Sequence, residues 1–357
     1  MTKTRWARVL IVEDSPVAGR ILSEGIAQDN RLAVVGIATT VRDAIEMFNR
    51  LQPDVITLDL MLPDESGLRV IQRVRHVRQT PIIVISTLGT AGTESLPFLA
   101  LAAGAADVIV KPAGDENELR AFFPDLNQRI ATLALAHAVP THESPLRIST
   151  NGTAPRPQPI ETNGALECVV VGASTGGPLA LVDLLTGLGP DFAAPVIIVQ
   201  HIAAPFVEGL VRWLDKETPM RVALAEDGIL PARGRAYVAP SGADLVFGPG
   251  GRLRVKAVSA EKRATSPSAD ALFASASDTY KSRCAGVLLT GMGRDGAEGL
   301  LKLRTKGAKT FAQDERSSTV FGMPAAAGRL GAVEAFAEPR VIAGRLRKLA
   351  ARHERIT

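Results

Sequence analysis

The sequence predicts an α/β protein built from two doubly wound parallel sheets joined by a flexible linker. Its 357 residues are too many for one ordinary core and enough for two. Short β-branched runs alternate with helical-period segments in both halves. Between the halves lies a stretch rich in Pro, Ser, Thr and Asn where that alternation stops.

In the first third, strands are expected at Arg8 to Val12, Leu32 to Ile37, Val55 to Asp59, Ile82 to Ser86 and Asp107 to Val110. After the second of these, Val41, Ala44, Ile45, Phe48 and Leu51 recur at helical spacing. Such βα units predict a parallel sheet covered by helices. Pro140, Pro145, Pro155, Pro157 and Pro159, interleaved with small polar residues, make residues 137–164 a linker. Strand-like runs resume at Cys168 to Val171, Val196 to Gln200, Arg235 to Val238, Gly286 to Leu289 and Lys309 to Ala312. Leu245 to Phe247 and Leu253 to Val255, around Gly248, Gly250 and Gly251, predict an antiparallel β-hairpin. The expected organisation is a domain over residues 6–125, the linker, and a second domain over residues 165–352.

Composition narrows the function classes. With 46% hydrophobic and 22% charged residues, each half can bury a core. The net charge of +4 is spread along the chain except for Arg345 to Arg355, which reads as a solvated helix face, so nucleic-acid binding is not called for. Cys168 and Cys284, far apart in sequence, suggest neither a disulfide framework nor a zinc site. No apolar run approaches the roughly 18 residues of a membrane span, and Met1 to Val12 lacks a signal-peptide pattern. A cytoplasmic protein without membrane insertion is expected.

In an open parallel sheet, chemistry gathers beyond the carboxyl ends of the strands. In the first half Glu13 and Asp14 follow the first strand, Asp59 ends the third, Ser86 and Thr87 the fourth, and Lys111 with Pro112 the fifth. Taken singly, Glu13 and Asp14 read as helix-capping acids and Lys111 as a surface charge. Together they make a site in which a hard cation such as Mg²⁺ relieves the repulsion of the acids. Asp59 can then attack phosphorus while Lys111 and Thr87 hold phosphoryl oxygens.

These motifs, Val12-Glu13-Asp14-Ser15, Leu58-Asp59-Leu60-Met61-Leu62-Pro63, Ser86-Thr87 and Val110-Lys111-Pro112, make residues 1–125 resemble a response-regulator receiver domain, whose sheet is flavodoxin-like. The resemblance implies that Asp59 is the phosphoacceptor, that Glu13, Asp14 and the Met61 carbonyl hold Mg²⁺ with it, and that a histidine kinase is the phosphodonor. Two positions depart from the pattern: Ser66 stands where the family often has Asp, and Val108 where it usually has an aromatic switch residue.

In the second half, Gly172-Ala173-Ser174-Thr175-Gly176-Gly177-Pro178 puts a serine directly after a strand in a small-residue turn that leads into a helix. The Thr175 N–H would lie near a developing oxyanion. Similar turns also cradle phosphates, so the turn by itself leaves a nucleotide-binding module open. His201 follows the next long strand, and Asp295 lies beyond a later one within Thr290-Gly291-Met292-Gly293-Arg294-Asp295-Gly296. His201 could take the Ser174 proton while Asp295 fixes its tautomer. A DNA-binding output would be smaller and carry a basic recognition helix. A nucleotide-binding module would favour an acidic residue where Gln200-His201 stands.

Gly172 to Pro178, Gln200-His201, Leu289 to Ala297, and Ala312-Gln-Asp-Glu through Val320-Phe-Gly-Met-Pro324 make this half similar to the catalytic domain of the chemotaxis protein-glutamate methylesterases. That resemblance implies a Ser174, His201, Asp295 triad, with Thr175 and Met292 lining the oxyanion region. It also implies methyl-accepting chemoreceptors as substrates, glutamine deamidation as a second activity, and no cofactor for hydrolysis. After His201 the chain reads Ile202-Ala203-Ala204-Pro205-Phe206, where the family commonly has Met-Pro.

Overall fold

Runs of Val, Ile and Leu that are apolar at every position cannot sit half-exposed, and they form sheets buried on both faces. In the computed structural model, which describes residues 6–86, 96–112, 116–138, 166–259 and 266–351, Val9 to Val12 are at most 1% exposed. The first half runs β1 (Ala7–Val12), α1 (Pro16–Ile26), β2 (Leu32–Ala38), α2 (Val41–Leu51), β3 (Val55–Leu58), α3 (Leu68–Val77), β4 (Ile82–Ser86), α4 (Leu96–Ala103), β5 (Asp107–Val110) and α5 (Glu116–Ala138). All strand pairs are parallel, in the order β2-β1-β3-β4-β5. The order reverses between β1 and β3, which opens a crevice above Glu13, Asp14 and Asp59.

Local chemistry sets the helix starts. Ser15 Oγ accepts from Ala18 N at 3.3 Å ahead of Pro16, and Thr40 Oγ1 accepts from Asp43 N at 3.0 Å.

The second half contains β6 (Cys168–Ala173), α6 (Gly177–Leu188), β7 (Val196–Gln200), α7 (Val207–Glu217), β8 (Arg221–Leu224), β9 (Arg235–Val238), β10 (Ala243–Phe247), β11 (Leu253–Ala257), α8 (Ala269–Tyr280), β12 (Cys284–Leu288), α9 (Ala297–Thr305), β13 (Lys309–Gln313), α10 (Met323–Arg329), β14 (Ala335–Ala337) and α11 (Pro339–Ala351). Its seven-stranded sheet has the order β14-β13-β12-β6-β7-β9-β8, while β10 and β11 pair as the expected hairpin. The chain leaves β6 toward β7 on one side and later returns to β12 on the other, so this sheet's switch point lies beside the end of β6.

Several strands run one or two residues longer than the sequence reading, and other details differ from it. Helix α5 continues past residue 125 to Ala138, two residues into the stretch expected as linker; residues 139–164 lie outside the described residues. Strand β3 closes at Leu58, which leaves Asp59 in the loop. Strand β12 begins at Cys284 and ends at Leu288, so it starts two residues before the expected run and stops one short of it. Strands β8 and β14 were not expected: one is a four-residue edge strand with an exposed first residue, the other has three residues, too short for periodicity to register. Among the described residues no helix is long and apolar enough to cross a membrane.

Candidate active site

Ser174 is the first residue after β6, in a turn that needs Gly176 at φ 77°. A Cβ there would collide with Thr319 Oγ1, so glycine is required twice over. Both neighbouring strands hold the turn. From the β12 side, Thr290 O accepts from Ser174 N at 3.0 Å, and Thr290 Oγ1 donates to Thr175 O at 3.0 Å. The buried Gln313 Oε1 in turn accepts from Thr290 N at 2.9 Å. From the β7 side, Gln200 Nε2 donates to Ser174 O at 2.9 Å.

His201 follows β7, and its backbone N–H donates to Ala173 O at 2.9 Å. Its imidazole presents Nε2 to Asp295 Oδ2 at 2.9 Å and to Pro267 O at 3.1 Å. Both are acceptors, so Nε2 carries the proton and Nδ1 is left basic. A flipped ring would turn a C–H toward the carboxylate, which fixes this assignment. Among the described contacts no hydrogen bond joins Ser174 Oγ to His201.

Asp295 is held by more than the histidine. Ser268 Oγ and Asp270 N donate to its Oδ1 at 2.9 and 3.0 Å, and Ala269 N donates to Oδ2 at 2.7 Å. The carboxylate therefore sits at the positive end of α8, on first-turn N–H groups that need acceptors. Burial alone would raise its pKa; the hydrogen bonds from His201, Ala269 and Asp270 overcome that and lower it to about 2.

The first half carries a second cluster. Glu13, Asp14 and Asp59 each offer an oxygen within 4.8 Å of the others, an all-carboxylate set that suits a hard divalent cation. Lys111 Nζ lies 2.7 Å from Glu13 Oε2 and 3.0 Å from Asp59 Oδ2, and Asp59 Oδ1 accepts from Met61 N at 3.0 Å. Burial pushes the Glu13 carboxyl up despite its bond to Lys111. Burial also works against the Lys111 charge, but its two carboxylate partners hold its pKa above the usual lysine value. Thr87, expected as a phosphoryl contact, lies outside the described residues.

The two halves meet through the edge formed by β5, α4 and α5. Thr175, 2% exposed, donates its Oγ1 to Asp107 Oδ2 at 2.9 Å. Arg129 Nη1 holds the same oxygen at 2.5 Å while its Nε reaches Asp125 at 2.8 Å. Thr132 Oγ1 donates to Met292 Sδ at 3.2 Å. Phe98 reaches from α4 to stack on Trp213, ring centroids 5.9 Å apart, and meets Phe206 edge-on at 6.4 Å.

Residues 169–346 match the family model described as CheB methylesterase, and residues 9–123 match the response regulator receiver domain. The chain is 39% identical over 349 residues to protein-glutamate methylesterase/protein-glutamine glutaminase 2 of Paramagnetospirillum magneticum, which spans 96% of this chain and 97% of that protein. The chain belongs to the CheB methylesterase family. Its relative of the same name in Anaeromyxobacter dehalogenans is 40% identical, over 92% of this chain and 93% of that protein. The crystal structure of the Thermotoga maritima CheB methylesterase catalytic domain is 32% identical, covers 52% of this chain and all 100% of that chain, and has a TM-score of 0.49.

This methylesterase-family chain also uses residues that sequence reasoning missed. Ser268 could have been found, because Ser before Ala269-Asp270 is a helix-start signature; its tie to Asp295 could not. Replacing Ser268 with Ala removes both the α8 cap and one donor to Asp295, and should cost about 1 kcal/mol in urea unfolding.

The Asp295 carboxyl also predicts a pH effect. Its folded value of about 2 lies below the ordinary 3.8, so its contribution to stability is present above about pH 4 and is lost as the pH falls toward 2. The size is about 2 kcal/mol. Urea midpoints of wild type should therefore fall more steeply between these pH values than those of an Asp295→Asn variant; parallel slopes would contradict the assignment.

Proposed function

We propose that this chain hydrolyses the γ-methyl esters of glutamate on cytoplasmic segments of methyl-accepting chemoreceptors, and deamidates receptor glutamines, under control of phosphorylation at Asp59. The observation that carries the hydrolytic reading is the His201 to Asp295 pair beside the Ser174 turn, at the switch point of the second sheet. The names of the relatives supply the substrate class.

In this mechanism His201 Nδ1 takes the Ser174 Oγ proton as the oxygen attacks the ester carbonyl carbon. The Asp295 carboxylate stabilises the imidazolium through Nε2–H. Donors in the Thr175 and Met292 region would face the oxyanion. As the tetrahedral adduct collapses, the imidazolium returns its proton to the departing methoxide, and methanol leaves an acyl-Ser174. Water then attacks, again giving its proton to Nδ1, and glutamate and free Ser174 result. An amide follows the same path and releases ammonia.

In the receiver half, Asp59 would accept a phosphoryl group from a histidine kinase, with Lys111 beside it and Thr87 as a further contact. Glu13, Asp14, Asp59 and the Met61 carbonyl would hold Mg²⁺, which supplies charge neutralisation for phosphoryl transfer. The contacts of Asp107 with Thr175, of Thr132 with Met292 and of Phe98 with Trp213 support a closed, low-activity arrangement that phosphorylation opens.

Methanol release from methylated receptor membranes tests the hydrolytic reading. Ser174→Ala is expected to abolish it, with a loss of about 10⁴-fold or more. Release at the wild-type rate from Ser174→Ala would overturn the reading.

A further inference from the structure

Strands β6 and β7 are paired up to Ala173 and Gln200, and the residues just past that last pair are Ser174 and His201. Parallel pairing alone fixes neither residue's carbonyl once the ladder stops. Gln200 supplies what the ladder lacks. Its side chain is 4% exposed, and its Nε2 donates at 2.9 Å to Ser174 O and at 2.9 Å to His201 O. One amide group thus spends both its hydrogens on the backbone carbonyls of the serine and the histidine. The amide orientation is set by this network, because the reverse would bring Oε1 against two acceptors.

The rest of the amide is equally constrained. Gln200 Oε1 is buried without a partner, which native structures seldom tolerate without a reason. It lies against Gly177 at the start of α6, where a Cβ would collide with it. The N-terminal end of a helix offers an acceptor a favourable field. Gly177 N itself is taken by Ser174 O at 2.7 Å. Gln200 is therefore wedged between the nucleophile turn, the base and the first residue of α6, at the expense of one unsatisfied oxygen.

We propose that Gln200 is a positioning residue for the reaction: its amide clamps the Ser174 and His201 backbones in the register that lets Nδ1 reach Oγ, and Gly177 is the clearance that allows it. The inference rests on the Ser174 and His201 reading above. Reacting groups held within a near-attack distance lose about 10²-fold in rate for a displacement on the order of 1 Å. Substrate binding, which does not depend on that register, is left alone.

The test measures steady-state methanol release by the full-length protein with phosphodonor present, for Gln200→Met, Gln200→Glu, Gly177→Ala and the double variant Gly177→Ala/Gln200→Met, with Ser174→Ala in parallel. Gln200→Met and Gln200→Glu keep length without donors, and kcat should fall about 100-fold with KM within about twofold. Gly177→Ala keeps the donors but pushes the amide off its carbonyls, and should show the same split. The double variant should be no faster than Gln200→Met alone, because a thioether of the same length still meets the added Cβ and no amide is left to displace.

A purely structural role would lower the melting temperature and leave kcat of the folded fraction within about threefold of wild type, and that result overturns the proposal. If Gln200→Met does not fold, Gln200→Glu decides, by the same split or its absence, because the Cβ of Gly177→Ala also presses on the Ala173 Cβ beside the nucleophile. An inactive Ser174→Ala beside fully active Gln200 variants would sink the clamp and leave the triad standing; an active Ser174→Ala would sink the triad itself.

Discussion

Asp295→Asn is expected to lower kcat for methyl-ester hydrolysis by about 10³- to 10⁴-fold while the protein still binds receptor. The reason lies in what each carboxylate oxygen accepts. Oδ2 takes His201 Nε2–H and Ala269 N–H; Oδ1 takes Ser268 Oγ–H and Asp270 N–H. An asparagine has one acceptor and one donor arm, so whichever way it turns, its NH₂ faces a backbone N–H at the start of α8. If the NH₂ takes the Oδ2 side, Nε2 must become the acceptor, the proton moves to Nδ1, and the base is lost. If it takes the other side, the base survives but the start of α8 loses the acceptor of both Asp270 N and Ser268 Oγ, against that of Ala269 N alone in the first case, and a larger destabilisation, about 1–3 kcal/mol, follows. Steady-state kinetics with urea unfolding separate the two. An Asp295→Asn protein within about tenfold of wild-type kcat would mean that the tautomer is set by something other than this carboxylate.

Gly209→Ala is expected to raise the unphosphorylated rate by roughly 10- to 30-fold. Gly209 lies in α7 facing Phe98, and a Cβ there would stand 2.5 Å from the Phe98 ring. Alanine suits a helix better than glycine does, so the catalytic half should not suffer, yet the ring must withdraw from Trp213 and Phe206. Aromatic pairs contribute about 1 kcal/mol each beyond their buried area, and about 2 kcal/mol against the closed arrangement shifts an open-closed balance by roughly 30-fold. Phe98→Ala should act the same way from the receiver side. Stimulation by phosphodonor should shrink in proportion, since phosphorylation then has less closure to undo. Unchanged basal rates in both variants would mean that this aromatic contact does not restrain the enzyme.

The triad candidates were legible because Ser174 and His201 stand just past strands that periodicity could find and Asp295 lies in the loop after another, and the order β12-β6-β7 then brings the ends of those strands together. Asp59, Glu13, Asp14 and Lys111 were legible for the same reason. What surrounds them was not. Asp107 opens β5 and Phe98 sits in a helix otherwise built of Leu, Ala and Pro; in sequence both read as ordinary parts of the receiver half. Their contacts with Thr175 and Trp213 depend on how the two halves pack, which no local pattern encodes. Gln200 stood beside the histidine as a non-acidic strand end and as part of a shared motif, and neither gave it a role, since a side chain that binds backbone leaves no partner to find by spacing. Val108, at the position where the resemblance leads one to expect an aromatic, is 4% exposed and lies in the receiver core; an aromatic that reaches the catalytic half is Phe98, ten residues earlier.

The coupling of the two sites is tested most directly by methanol release from methylated receptor membranes with Mg²⁺, with and without a small-molecule phosphodonor, in wild type and Asp59→Asn. Control through Asp59 predicts that phosphodonor raises the wild-type rate by an order of magnitude or more and leaves Asp59→Asn at its basal rate. Equal stimulation of the two proteins would contradict it.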